Sequence, residues 1–61
     1  MINQFAQHFT MILTLMFSNG QVQVQTIPNF ANYATCVLAG EQIIMRSRTA
    51  GNDASYQCVT Q

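Results

Sequence analysis

The chain has 61 residues, of which 49% are hydrophobic and 7% are charged, and its formal net charge is zero. Ordinary soluble domains carry about 25% charged residues, so the solubility of this chain depends on its 22 Gln, Asn, Thr and Ser side chains. This length suffices for one small domain, and two arginines without any lysine cannot supply the positive surface that nucleic-acid binding requires.

Residues 1–20 are predicted to form a hydrophobic helix. The run from Phe9 to Phe17 is uncharged, and two threonines are its only polar residues. A transmembrane helix needs about 20 apolar residues, whereas a signal-peptide core needs about 7 to 15. The run therefore fits a signal-peptide core better than a transmembrane helix. It is followed by Ser18-Asn19-Gly20, which has the small-x-small pattern that signal peptidase recognises. The basic residues that usually precede such a core are missing.

A retained helix is the alternative interpretation of this segment. Polar side chains recur every three or four positions and would line one helix face, while apolar side chains would line another. A helix that stays attached can use a polar stripe to hydrogen-bond to a partner. Cleavage near Gly20 and retention as an anchor or packing helix therefore both remain open. The apolar residues predicted to contact a partner are Phe5, Phe9, Ile12 and Met16.

Residues 21–61 are predicted to form a strand-helix-strand head. Residues 21–27 alternate polar and apolar side chains, which favours a strand with Val22 and Val24 towards the core. Asn29 or Asn32 can cap a helix over residues 33–47, and residues 54–60 alternate again. Gly40 on the inner face of that helix indicates close packing there. The predicted fold class is therefore a small α/β protein, in which a hydrophobic N-terminal helix precedes a βαβ head.

Cys36 and Cys58 are the only cysteines. In a βαβ unit the start of the helix lies beside the end of the second strand, so the two thiols can meet. The alternatives are a zinc site, which would lack two ligands, and a pair of free thiols. A disulfide closing this loop would contribute about 3 kcal/mol in the chain-entropy model, and it is the favoured interpretation.

The head resembles short exported single-disulfide proteins of bacteria and their phages. The residues that carry the resemblance are Phe30 and Cys36 in a Phe-x5-Cys spacing, Ala39-Gly40 on the helix, and the closing Tyr56-Gln57-Cys58. The resemblance covers about half of the chain. It implies an exported protein with the same strand-helix-strand arrangement and disulfide, and it implies no activity.

Two function classes fit the sequence, and neither is an enzyme. The first is a structural or accessory subunit of a membrane or virion-type assembly, with the head as its docking module. The second is a secreted, monomeric binding or effector module left by cleavage near Gly20. In both we expect a protein partner or self-association, with a membrane as a further candidate partner, and we expect no nucleic acid, small-molecule substrate, metal or other cofactor. Leu38 and Met45, on the outer side of the helix, are the predicted contacts on the head.

Overall fold

A computed structural model describes residues 8–61, which form a three-stranded antiparallel sheet and one helix. The strands are β1 (Phe9–Met16), β2 (Val22–Phe30) and β3 (Asp53–Thr60), and the helix α1 (Tyr33–Thr49) connects β2 to β3. The sheet order is β2-β1-β3. The central strand therefore comes from the segment that precedes Gly20.

The prediction of an N-terminal hydrophobic helix is wrong for the described part of that segment. Residues 9–16 form β1, which pairs antiparallel with β2 on one side and with β3 on the other. A central strand that is apolar on both faces reads as a continuous apolar run, as a signal-peptide core does. Residues 1–7, which include the predicted contact Phe5, lie outside the described residues.

The turn between β1 and β2 has the chemistry of a three-residue hairpin loop. The Gly20 N–H donates to the Phe17 carbonyl at 2.9 Å, and the Phe17 N–H donates to the Gln21 carbonyl at 2.8 Å. Gly20 has a φ of 91°, a left-handed conformation that glycine adopts without steric cost. Ser18-Asn19-Gly20 thus reverses the chain.

The βαβ prediction is also wrong in its strand adjacency. β2 and β3 are both antiparallel to β1, so they run parallel to each other, but β1 lies between them. The helix still starts at the end of the sheet where β2 and β3 finish. For that reason the predicted meeting of the helix start with the last strand survives the change of topology.

A bulge interrupts the pairing of β1 with β2. Thr10 lies opposite two residues, Pro28 and Asn29, because the register shifts between Phe9 and Met11. Asn29 has a φ of 72°, and its side-chain oxygen accepts a hydrogen bond from Gln61 Nε2 at 3.3 Å. Proline lacks an N–H for the ladder, so a bulge in an edge strand can accommodate it.

Both ends of α1 are capped by local side-chain and backbone groups. The Asn32 side chain accepts a hydrogen bond from the Thr35 N–H at 2.8 Å, and the Thr35 hydroxyl accepts one from the Asn32 N–H at 3.3 Å, which forms a capping box. After the helix, Gly51 has a φ of 84°, the left-handed conformation with which glycine commonly ends a helix. The predicted helix over residues 33–47 is confirmed with two more residues at its end.

The core lies between α1 and one face of the sheet. Its buried residues in the described part are Met11, Leu13, Cys36 and Ala54. Partly buried side chains surround them, among them Phe9, Leu15, Ile43 and Tyr56. A core of this size gives limited stability, so covalent and close-packing contacts matter more than usual.

Candidate docking surface

A disulfide joins the start of α1 to β3. Cys36 and Cys58 are bonded, their Cα atoms are 6.1 Å apart, and they are 22 positions apart in the sequence. Cys36 is completely buried. The predicted disulfide is therefore confirmed, and it fixes the helix over the sheet.

The contact between Gly40 and Tyr56 sets how closely the helix approaches the sheet. A Cβ atom at Gly40 would lie 2.7 Å from three carbons of the Tyr56 ring, well inside van der Waals distance. The neighbouring Glu41 carboxylate accepts a hydrogen bond from the Tyr56 hydroxyl at 2.7 Å. That hydrogen bond, together with desolvation and the negative charge of Glu41, raises the pKa of Tyr56 above 10.0.

The titratable side chains in residues 8–61 do not gather into a reaction centre. Glu41 is engaged by Tyr56, and the Arg48 Nε lies 3.8 Å from the Asp53 carboxylate in an exposed pair. His8 is exposed at the start of β1. No group of three or more His, Cys, Asp or Glu residues that could hold a metal occurs in this part of the chain.

The helix covers one face of the sheet and leaves the other open. Met11, Leu13 and Leu15 point to the helix, so the alternate residues of β1 point the other way. Within the described chain no element packs on that second face, which we name the open face. Its members, read from the strand register, are Thr10, Ile12, Thr14 and Met16 of β1, Val22, Val24 and Thr26 of β2, and Asp53, Ser55, Gln57 and Val59 of β3.

An apolar band crosses the open face diagonally. Met16 pairs with Val22, and Val24 lies in the next row, so three apolar side chains occupy the corner where β2 begins. Ile12 continues the band near the centre, and Val59 ends it at the far end of β3. The remaining members are hydroxyl or amide residues, apart from Asp53 at one corner.

The prediction that Val22 and Val24 of β2 face the core is wrong. Val22 and Val24 are 63% and 62% exposed, not directed to the core, while Gln23 and Gln25 pair with the helix-side residues Leu15 and Leu13. The helix packs mainly over β3 and β1, which leaves β2 largely uncovered. Val22, Val24 and Val59 are therefore surface residues that the sequence did not reveal. Asn19-Gly20 signals a hairpin, but the three-residue loop Ser18-Asn19-Gly20, and not the two-residue turn typical of Asn-Gly, sets the register that exposes them.

The sequence-predicted contacts fall on three different surfaces. Ile12 and Met16 lie half-buried on the open face, whereas Phe9 lies on the helix side and meets the Tyr33 ring edge-on at 5.7 Å. A helical wheel placed these three residues together, but a strand separates odd from even positions. Leu38 and Met45 are 62% and 67% exposed on the outer side of α1.

The outer side of α1 is more strongly charged than the open face. Glu41, Arg46 and Arg48 belong to the helix and are exposed, and together with Asp53 they are all the charged side chains of the chain. Leu38 and Met45 stand among them as two separate apolar residues. The open face is thus the larger continuous uncharged surface.

A shallow groove lies where the two turns meet at one end of the sheet. Its lining includes Phe17, Asn52 and Arg48, and the Asn52 side chain accepts a hydrogen bond from the Ser18 N–H at 3.0 Å. Because Arg48 is largely exposed beside Asp53, the groove offers no enclosed cation for a ligand. In residues 8–61 there is no helix with the length and hydropathy to cross a membrane.

Comparisons with protein-family models, with curated proteins and with solved structures found no match to the chain. The resemblance to short exported single-disulfide proteins stays a prediction.

Proposed function

We propose that this protein is a non-catalytic docking module, a structural or accessory subunit whose open face binds another protein. The observation that carries the proposal is the diagonal apolar band, which runs from Val22 and Val24 through Ile12 to Val59 without cover from the described chain. Contiguous exposed apolar surface of this kind marks interaction sites.

The rest of the fold supports a scaffold role. The disulfide, the capped helix and the Gly40–Tyr56 contact hold α1 against one face of the sheet. These contacts keep the open face rigid. A partner would therefore bind a preorganised surface, and little conformational entropy would be lost on binding. Cleavage near Gly20 would remove β1, with which both other strands pair, so the proposed module retains that strand.

The scattered titratable groups support the non-catalytic part of the proposal. General acid–base chemistry needs a titratable side chain positioned within hydrogen-bond reach of the substrate. Here the carboxylates of Glu41 and Asp53 are engaged by Tyr56 and Arg48 at the surface.

The disulfide supports a location outside the reducing cytosol. Disulfides persist in secreted, periplasmic and virion-surface proteins and are rare in cytosolic ones. We place the protein in an exported setting, periplasmic, extracellular or membrane-tethered, or within a virion. Leu38 and Met45, the contacts expected from the sequence, are the competing assignment for the docking surface and serve as the comparison sites in the experiments below.

Site-specific photo-crosslinking in the cells that make the protein tests the proposal. A photoreactive amino acid would replace Val24 on the open face or, as a matched control, Leu38 on the helix. The two side chains are equally exposed, at 62% each. We expect defined protein adducts, identified by mass spectrometry, from position 24. Adducts from position 38 alone, or none from either position, would contradict the assignment of the open face.

A further inference from the structure

We infer that the open face binds the open face of a second copy of this chain, forming a symmetric dimer. The inference rests on the proposed docking function and names its partner. A two-fold dimer requires a surface that is complementary to itself, and the arrangement of polar and apolar residues on this face meets that requirement.

The diagonal band defines the symmetry axis. A two-fold axis that lies along the band superimposes the band of one copy on that of the other, so Ile12 meets its equivalent and Met16 faces the valines at the start of β2. The polar residues on the two sides of the band exchange places. Asp53 of one copy then lies beside the outer edge of β2 in the other copy, about level with Val24, where it stays exposed to water next to its partner Arg48.

The single charge on the face is compatible with this axis. With strands about 4.8 Å apart and alternate residues about 6.8 Å apart along a strand, the two Asp53 carboxylates are separated by about 17 Å. That exceeds the Debye length of about 8 Å at physiological ionic strength, so their repulsion is screened. An axis parallel to β1 would instead place Asp53 and its partner Arg48 over Val22, where the charged pair would be desolvated against an apolar side chain.

The outer edge of β2 is a poorer site for a second copy. Pro28 has no N–H, and the Asn29 N–H donates to the Gln61 side chain. Pro28 and Asn29 therefore offer no backbone N–H to a strand of another chain, and the bulge bends this edge of the sheet. Face-to-face contact avoids this obstacle.

The size of the face predicts a weak dimer. Three strands of about eight residues present about 14 × 26 Å, or roughly 370 Å² of flat area per copy. Standard interfaces bury about 800 Å² per partner. We therefore expect reversible association with a dissociation constant between about 10 μM and 1 mM, in the range of small transient contacts.

Sedimentation equilibrium of the oxidised protein, from about 5 μM to about 2 mM so as to bracket that range, tests the inference. The variant Val22→Glu/Val24→Glu should weaken dimerisation at least about 100-fold, because four carboxylates would enter the interface. The matched control Leu38→Glu/Met45→Glu adds the same charge at sites of similar exposure, and it should keep the parent's dissociation constant within about threefold. Circular dichroism and intact mass establish that both variants are folded and oxidised.

Nuclear Overhauser contacts between isotope-labelled and unlabelled copies locate the interface independently. Contacts between the Val24 and Met16 methyl groups of different copies, or between the Ile12 methyl groups of the two copies, would support it. A parent that is monomeric throughout, or a dimer lost only in the Leu38→Glu/Met45→Glu variant, would overturn the inference. A monomeric parent that still crosslinks from position 24 to a different protein would leave the docking function in place, whereas a monomer without crosslinks would remove both.

Discussion

Replacing Gly40 with alanine should destabilise this protein, although alanine is the better helix former. The added methyl group would lie 2.7 Å from the Cγ and both Cδ atoms of Tyr56. These atoms belong to the base of the ring, and the ring is held at its other end by Glu41. The methyl group can therefore be accommodated only if the helix and β3 move apart.

Two opposing effects determine the magnitude. Alanine gains about 1 kcal/mol over glycine within a helix, while overpacking a tight contact costs about 1 to 3 kcal/mol. A shift of about 1 Å is needed to restore carbon–carbon contact distance, which places the cost in the upper half of that range. The net result is a loss of about 1 to 2 kcal/mol in the free energy of unfolding, or a fall in Tm of about 4 to 16 °C for a chain of this size.

A double-mutant cycle isolates the ring contact. In a Tyr56→Val background the methyl group has room, so Gly40→Ala should stabilise the protein by about 1 kcal/mol. A Tyr56→Phe background retains the ring and should retain the penalty. Urea unfolding of the oxidised proteins, followed by circular dichroism, measures each difference. The steric argument would be refuted if Gly40→Ala stabilised the parent. It would also be refuted if Gly40→Ala changed the free energy of unfolding equally with valine and with phenylalanine at position 56.

Three further predictions concern the Cys36–Cys58 disulfide, the hydrogen bond between Tyr56 and Glu41, and the buried side chain of Met11. Reducing the Cys36–Cys58 disulfide should lower the free energy of unfolding by about 2 to 5 kcal/mol, which thermal melts with and without a phosphine reductant would measure. Glu41→Gln should lower the raised pKa of Tyr56 towards its ordinary value of 10.0, and a pH titration of the ring resonances would measure that change. Because the pKa of Tyr56 is higher in the folded state, the hydrogen bond to Glu41 stabilises the fold fully below pH 10.0. That stabilisation is lost as the pH rises through the pKa of Tyr56 in the folded state. Met11→Ala should cost about 2 to 4 kcal/mol in urea unfolding, because Met11 is fully buried.

The controls for these predictions lie in the same elements. A Cys36→Ser/Cys58→Ser variant should be as unstable as the reduced parent and should not respond to reductant. Ile12→Ala, in the monomer, should cost much less than Met11→Ala because Ile12 lies on the open face. Equal costs at these adjacent positions would contradict the alternation of β1.

The second half of the fold could be predicted because its signals are local. Asn32 caps the helix, Gly51 ends it, and residues 54–60 alternate as a strand does, so each boundary came from nearby chemistry. The disulfide followed because parallel strands finish at the same end of a sheet. Tight packing at Gly40 followed because glycine on a buried helix face is costly unless something approaches closely.

The first half was misassigned because a nine-residue apolar run has no decisive period. Phe9 to Phe17 suits a signal core, a helix or a central strand equally well, and length and turn residues must decide between them. Asn19-Gly20 is a strong hairpin signal when followed by an alternating segment, yet it was interpreted as a cleavage site. Once β1 is known to be the central strand, its register shows that Val22 and Val24 lie on the open face. The same register places Phe9 and Ile12 on opposite faces of the sheet.

The β2-β1-β3 strand order has a consequence for how the chain acquires its structure. β1 precedes the other strands, but one of its ladders requires β3, and Phe9 pairs with Thr60 across almost the whole described chain. Contacts so distant in sequence slow folding, because the entropy of closing a long loop is lost before the contacts form. Until β3 docks, one side of an apolar strand stays unpaired and prone to aggregate. The Cys36–Cys58 disulfide ties β3 to the helix, so once formed it holds the last strand beside β1 and keeps the apolar central strand paired on both sides.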